Sequence, residues 1–536
     1  MLLGLLLLSM ICISSWNMSI PTKRACDACH RRKVRCNSHQ PCGNCSQAGL
    51  SCTYDAIPQK KGPKGSRAKV ISELRETQKQ TDLAQASQSR RSSTSPPSSP
   101  KYGRASDLLT RELVESCTEF FFVHMYPTMP VLYRAQLQQA VAEMGHSVES
   151  YSLVTSLCAF MLIQPGIMLK NSPILDGAPG SATNPKLGSF LMEEAVRVRK
   201  GYDYIENPSI TTCITSFFLF GCCFGLHKHN SGWLHLREAT ALAQILGMQD
   251  ESSYAFDNVI ENSRKRRLFW LLFVTERAYA LQKHRPLTLH ATIGLPTLDQ
   301  DSSLAGFIHL VNLYRPFDDN FIGLWNKSRT DCSPFTLAHL QQQLTEALPT
   351  FLNTTESQAA DLRTSQQWLR TMVWQLSITN GFLSSNSPDT SMTFRFPIEI
   401  AKDLVAVTTQ FSIQSMEVHG IGLIEKVFDV ACTLIDVMSC VLVPSSPHPY
   451  EPGPQEYLNQ LLTLISTLRG GESRYLPLIM TKIRDTLPTI LSALPPDLAK
   501  KMASNGADKS QHEGTPSSTG SSPYSTPPIL PYYPLA

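Results

Sequence analysis

Residues 26–52 read CDACHRRKVRCNSHQPCGNCSQAGLSC, and six of the chain's fifteen cysteines lie in this stretch. They stand at Cys26, Cys29, Cys36, Cys42, Cys45 and Cys52, so the unit C-x2-C-x6-C occurs twice, joined by the connector NSHQP. A disulfide framework accounts for the number of cysteines. It accounts neither for the duplication nor for His30, Arg31, Arg32, Lys33 and Arg35 crowding the interval between Cys29 and Cys36. Zinc accounts for both. Thiolates three residues apart share one side of a helical turn, and a third returning six residues later can close on the same metal. Two zinc ions offer eight tetrahedral ligand positions at Zn–S of about 2.3 Å. Six cysteines fill eight positions only if two of them bridge both metals. Such a cluster has a net charge of −2, which nearby Lys and Arg offset. The spacing favours metal over disulfide.

The charge distribution points the same way. From Met18 to Val70 there are eleven Lys and Arg against Asp27 and Asp55, while residues 71–536 carry a net of −5. A short basic head on a mildly acidic body is the asymmetry of a nucleic-acid binder, although charge alone also describes a solvated tail.

The motif resembles the fungal binuclear zinc-cluster domain, Zn2Cys6. The resemblance implies two short helices, each following a C-x2-C, around two zinc ions bridged by the first and fourth cysteines, here Cys26 and Cys42. It implies that the end of the first helix enters the DNA major groove over a CGG-type triplet, with Lys33 in the base-reading position and Arg32 beside it. Guanine O6 and N7 are acceptors that Lys or Arg reads well. Arg31, Arg35, Lys23 and Arg24 are expected on phosphates, which position the domain without reading sequence. Pro41 matches the family residue that shapes the connector.

The first seventeen residues, MLLGLLLLSMICISSWN, conflict with this reading. Leu2 to Ile13 has the character of a secretory signal core, but the segment lacks a positive start and SSWN is a poor cleavage site. A secreted thiolate cluster would meet oxidant and no DNA. Residues 1–17 are therefore expected to be an upstream extension, with translation starting at Met18. The expected address is the nucleus, with no membrane association.

The expected organisation is a Zn2Cys6 domain over 18–58, a basic linker and Ser/Pro tether over 59–105, an all-α regulatory region over 106–500 and a disordered tail over 501–536. Residues 66–85 are helix-prone, but Val70, Leu74 and Leu83 sustain no heptad repeat, which leaves a homodimer open. QASQSRRSSTSPPSSPKYGRA is too polar for a core. Stretches such as DLLTRELVESCTEFFFVHM, GWLHLREATALAQILGM and GLIEKVFDVACTLIDVMSCVLV repeat apolar residues every three or four positions. SFFLFGCCFGLHKHNSGWLHLREATALAQILG and RRLFWLLFVTERAYALQKHRPLTLHATIGLP resemble the helical regulatory region of fungal zinc-cluster factors, both maltose-type regulators and those of secondary-metabolite gene clusters. The tail, ending GSSPYSTPPILPYYPLA, could contact transcription coactivators.

Four features of the body invite rival readings. GCCFG at 221–225 fits a cysteine nucleophile elbow with Cys223, although an elbow needs a strand before it and a long helix immediately after, and Asn230 to Gly232 interrupts too soon. His227, His229 and His235 could suggest metal, but no acidic partner stands close in the sequence reading, which favours surface or core histidines. Ser209 to Leu226 is uncharged for 18 residues, the lower edge of a membrane span. Its Ser and Thr content favours a buried helix. Arg264 to Arg267 reads as a second import signal or a solvated helix start. The remaining nine cysteines are mostly expected as buried small hydrophobes.

The reading is a nuclear, sequence-specific DNA-binding transcription factor for RNA polymerase II genes, not an enzyme. It holds two zinc ions and binds double-stranded DNA with CGG-type half-sites. The resemblance favours an activator of a fungal secondary-metabolite gene cluster, then a carbohydrate-utilisation regulator, with a hydrolase using Cys223 as the remote rival.

Overall fold

The computed structural model describes residues 25–32, 34–39, 41–49, 52–53, 109–165, 167, 184–255, 258–298, 303–440 and 452–493. The leader, the linker, the possible dimerisation segment, the Ser/Pro tether and the tail lie outside the described residues. The chain divides into two units, Met1–Pro100 and Lys101–Ala536. Among the described residues there is no strand, and every regular element is helical.

The first unit contains α1 (Asp27–Arg32) and α2 (Gly43–Gln47). Each begins one residue after the first cysteine of its pair and so takes in the second cysteine. This corrects the expectation that each helix follows its pair. The reason is capping: Cys42 adopts an extended conformation at the N-cap of α2, and its sulfur accepts the backbone N–H of Cys45. The core of this unit is sulfur. Cys26, Cys29, Cys42 and Cys45 are fully buried, with Cys36 and Cys52 packed partly against them. A unit this small cannot rest on burial alone.

The second unit starts with α3 (Arg111–Phe120), which runs into a π turn at Phe121–Met125, then α4 (Arg134–Glu143) and α5 (Val148–Ile163). There follow α6 (Asn184–Arg199), α7 (Ile210–Gly225), α8 (His229–Ile245), α9 (Val259–Lys283) and α10 (Leu304–Tyr314). Then come α11 (Asp319–Trp325), α12 (Pro334–Glu346) and α13 (Glu356–Thr379). Together they enclose one large apolar core. A second core is built by α14 (Phe396–Thr408), α15 (Ile413–Glu417), α16 (Ile421–Cys440), α17 (Pro454–Thr467) and α18 (Gly471–Thr486). Helix α13 serves both: Trp368 and Leu369 face the first core, Ala360 and Trp374 the second. Trp270, Trp368 and Trp374 are all but fully buried, and each indole N–H is satisfied, by Gly294 O, Asp429 Oδ2 and Thr393 O at 2.8–2.9 Å.

Helix α7 is the uncharged stretch weighed above as a span. It is a buried helix, started by a capping box in which Ser209 and Thr212 satisfy each other's backbone N–H. No described helix is long and apolar enough to cross a membrane. The GCCFG segment forms its last turns, with no strand before it, so the elbow geometry is absent. Its two glycines have a packing role instead. A Cβ on Gly221 would sit 2.3 Å from Phe160 Cε2, and one on Gly225 2.6 Å from Ile163 Cγ2, both on α5. Bare backbone lets α7 lie close against α5. Cys223 is buried beside Met192, and burial pushes its thiol up to about 11, away from the thiolate a nucleophile needs.

Three further expectations change. Asn230 to Gly232 does not interrupt the helical run, because it forms the first turn of α8. His235 does have an acidic partner: its Nδ1 lies 3.3 Å from Glu238 Oε2, one helical turn on. Arg264 to Arg267 is neither an exposed signal nor a helix start, since it lies within α9 and all four side chains are engaged. Arg264 donates to Val131 O at 3.1 Å and Arg267 to Tyr126 OH at 2.8 Å. Lys265 reaches Ser253 Oγ, and Arg266 reaches Glu251 and Gly294 O. These cations link the helix to loops distant in sequence. Of the cysteines outside the cluster, Cys117, Cys158, Cys213, Cys222, Cys223 and Cys432 are buried, Cys332 is half-buried and Cys440 is exposed.

Candidate metal centre and nucleic-acid interface

The duplicated sequence folds into a duplicated set of hydrogen bonds. The backbone N–H of Cys29 points at Cys26 Sγ at 3.5 Å, and that of Cys45 at Cys42 Sγ at 3.3 Å. The N–H of Cys26 points at Cys36 Sγ at 3.5 Å, and that of Cys42 at Cys52 Sγ at 3.2 Å. Each C-x2-C-x6-C unit thus makes the same two N–H···S contacts. Such donors favour a negative sulfur.

The six sulfurs form two interpenetrating groups of four. Cys26, Cys29, Cys36 and Cys42 have all their Sγ atoms within 4.8 Å of one another, and so do Cys26, Cys42, Cys45 and Cys52. The groups share Cys26 and Cys42, whose sulfurs are 3.7 Å apart. Cys29 Sγ lies 3.5 Å from Cys42 Sγ, and Cys45 Sγ 3.6 Å from Cys26 Sγ. A tetrahedron with Zn–S of about 2.3 Å sets its sulfurs about 3.8 Å apart. A disulfide would need about 2.05 Å. The residues fit two tetrahedral zinc sites with a shared edge, and all six cysteines are free of disulfides.

The thiols differ in acidity. Cys26 is drawn down to about 6, chiefly by the Cys29 N–H, against the effect of burial. Burial opposes ionisation of Cys42, but the Cys45 N–H and neighbouring sulfurs outweigh it and lower its pKa. Burial drives Cys29 up to about 12 and raises Cys45 as well. The two shared sulfurs are therefore readier to ionise than Cys29 and Cys45 before any cation arrives. A bound dication would draw the others after them.

Two contacts outside the sulfurs close the unit, and the sequence reading missed both. The N–H of Asp27 donates to Thr53 O at 2.8 Å, and Thr53 Oγ1 donates to Asp27 Oδ2 at 3.0 Å, tying the chain after the last cysteine to the start of α1. Asn44 Nδ2 donates to Arg35 O at 2.6 Å and holds the basic loop against α2. No local signal announces either pair, since the partners are 26 and nine residues apart.

Of the proposed DNA contacts, Arg31 and Arg32 have their backbone in the last turn of α1, and Arg35 is exposed in the loop beyond it. Lys33, Lys23 and Arg24 lie outside the described residues. Pro41 is exposed just before the α2 cap.

A model of the fungal Zn(2)-Cys(6) binuclear cluster domain matches residues 24–61, and one of the fungal specific transcription factor domain matches residues 118–380. The chain belongs to the fungal Zn2Cys6 transcription factors. It is 25% identical over 433 residues to a maltose fermentation regulatory protein of Saccharomyces cerevisiae, covering 78% of this chain and 84% of that one. It is also 25% identical to a probable sucrose utilization protein of Candida albicans, covering 78% and 79%. A citrinin biosynthesis transcriptional activator of Monascus ruber is 20% identical, over 50% of this chain and 62% of that protein. As a Zn2Cys6 factor the protein has a cluster domain that binds zinc and DNA, and members of the family act in the nucleus. The family is one of transcription factors, not of enzymes. The regulatory-domain match ends within one residue of the end of α13, so it takes in α13's contribution to the second apolar core, while α14 to α18 lie beyond it.

Proposed function

We propose that this Zn2Cys6 factor holds two zinc ions, with Cys26 and Cys42 each bridging both, Cys29 and Cys36 completing one site, and Cys45 and Cys52 the other. The observation that carries this reading is the pair of sulfur groups sharing Cys26 and Cys42. Zinc supplies the cross-links that a unit of this size lacks; the chain supplies the N–H donors that favour thiolate and the capped helices that aim the sulfurs. On that scaffold α1 presents its C-terminal end to the major groove. Lys33, with Arg32, reads a CGG-type triplet, while Arg31, Arg35, Lys23 and Arg24 meet phosphates. In binding assays across variant sites and salt concentrations, Lys33→Ala should lower discrimination for the triplet by about 1–3 kcal/mol. Lys23→Ala should weaken all sequences alike and flatten the salt dependence. Uniform loss in both mutants would refute Lys33 as the reading residue.

The protein works in the nucleus on RNA polymerase II genes, with coactivators, as an activator of a secondary-metabolite gene cluster. Similarity to the citrinin activators supports this reading. Carbohydrate utilisation is the second reading, and the longer, more similar match to the maltose regulators favours it. Mapping bound promoters beside expression in a deletion strain separates the two. Binding and altered expression at contiguous biosynthetic genes support the first, and at glycosidase and sugar-transporter genes the second.

A further inference from the structure

A groove of about 510 Å³ opens on the second core, between the C-terminal end of α14, the start of α15 and one face of α17. This volume suits a small organic ligand. Val405, Phe411, Ile413, Met416 and Leu464 give it an apolar lining.

The polar lining is mostly of one kind. Thr408 donates its hydroxyl proton to Leu404 O at 2.9 Å and Thr409 to Val405 O at 3.0 Å. Thr463 donates to Asn459 O and Thr467 to Thr463 O, both at 2.8 Å. With their protons spent on their own helices, these four hydroxyls keep only acceptor lone pairs. Asn459 Oδ1 is a buried acceptor with no hydrogen-bond partner among the described residues, and the amide groups of Asn459 and Gln460 are the side-chain N–H donors of the lining. Glu456 adds a carboxylate, one oxygen of which takes the Gln460 Nε2 proton at 3.2 Å. Among the described residues no Lys, Arg or His lines the groove.

Such a lining selects by elimination. A carboxylate or phosphate would meet like charge and acceptors. A sugar hydroxyl can donate, but its own lone pairs would face the same oxygens with few donors to receive them. A protonated amine has three donors and no acceptor, and Glu456 supplies the opposite charge. We propose that this groove binds a small primary amine with an apolar body, as an effector of the regulatory region. Its role as an effector rests on the transcription-factor reading; the binding itself does not.

The test is calorimetric titration of the full-length, zinc-loaded protein with 2-phenylethylamine, isoamylamine and hexylamine, against 3-phenylpropionate and maltose. The expected result is saturable binding of at least one amine and none of the acid or the sugar. Glu456→Gln, at an exposed position, should weaken the amine at least tenfold with no change in thermal unfolding, and Thr463→Val should weaken it less. Absence of binding by all three amines, equal binding by Glu456→Gln, or saturation by maltose alone would overturn the proposal. DNA binding measured on the same sample keeps the two readings apart. Amine binding without DNA binding would sink the transcription-factor reading and leave the groove standing; DNA binding without amine binding would do the reverse.

Discussion

The sulfur cluster and the helical body are folded by different physics within one chain. The cluster buries Cys26, Cys29, Cys42 and Cys45 and, among its described residues, has no aliphatic or aromatic core of its own. The body buries three tryptophans and two extended apolar cores. Removing a ligand atom from the first removes the reason it folds. Removing an apolar atom from the second subtracts a few kcal/mol from a large sum. The cluster should therefore respond to metal and be indifferent to core packing, and the body should do the opposite.

The largest effect expected is loss of zinc. A strong chelator should unfold the cluster and abolish DNA binding while the thermal transition of the body stays in place, because structural zinc contributes about 10–16 kcal/mol to small domains of this kind. Cys26→Ser or Cys42→Ser should cost both ions, whereas Cys29→Ser should weaken one first. Metal content by atomic emission, read beside circular dichroism, checks this; a single ion retained in Cys26→Ser would break the bridging assignment.

Next in size is a pH effect confined to the body. Burial, against the Trp368 indole N–H and with the Glu425 charge adding to it, raises the Asp429 carboxyl to about 7; Lys283 is the cation that faces the pair. The folded state therefore holds the proton longer than the unfolded one. Stability from this group is full below pH ~4, falls as pH rises toward ~7 and is level above, a change on the order of 4 kcal/mol. Asp429→Asn should remove that slope and raise the melting temperature at pH 8 but not at pH 4. The same slope in mutant and wild type would assign the pH dependence to another group.

A packing change should be smaller. Gly221→Ala places a methyl against the Phe160 ring and should cost about 1–3 kcal/mol in body stability, with zinc content unchanged. A neutral result would show that α5 and α7 have slack between them. Smallest is the α7 cap: Ser209→Ala should cost about 1 kcal/mol by denaturant titration.

Legibility followed the range of the interaction. The cysteine spacing exposed the metal chemistry because ligands and helical turns are set within a few residues. The 3.6-residue apolar period exposed the helices of the body for the same reason. GCCFG was open to misreading, since a glycine that clears a ring 61 positions earlier looks locally like a glycine at a tight turn. The four cations at Arg264 to Arg267 looked solvent-facing because their partners, Val131 for Arg264, Tyr126 for Arg267, Ser253 for Lys265 and Glu251 for Arg266, leave no trace in the adjacent sequence. His235 is different: its partner Glu238 was one turn away and legible by the i,i+3 rule.

The sequence by itself determined the all-helical class of the body, the basic head and the duplicated set of six cysteines, because these depend on composition and short-range periodicity. The count of six cysteines required two bridging ligands, and the resemblance pointed to Cys26 and Cys42. Only the tertiary structure brought the two groups of four sulfurs together along that edge and returned Thr53 to lock Asp27. It alone decided that α13 is shared by two cores and that Asp429 is buried beside Glu425. Those outcomes are contacts between residues far apart in the chain, and they exist only once the intervening segments have paid the entropy of folding together.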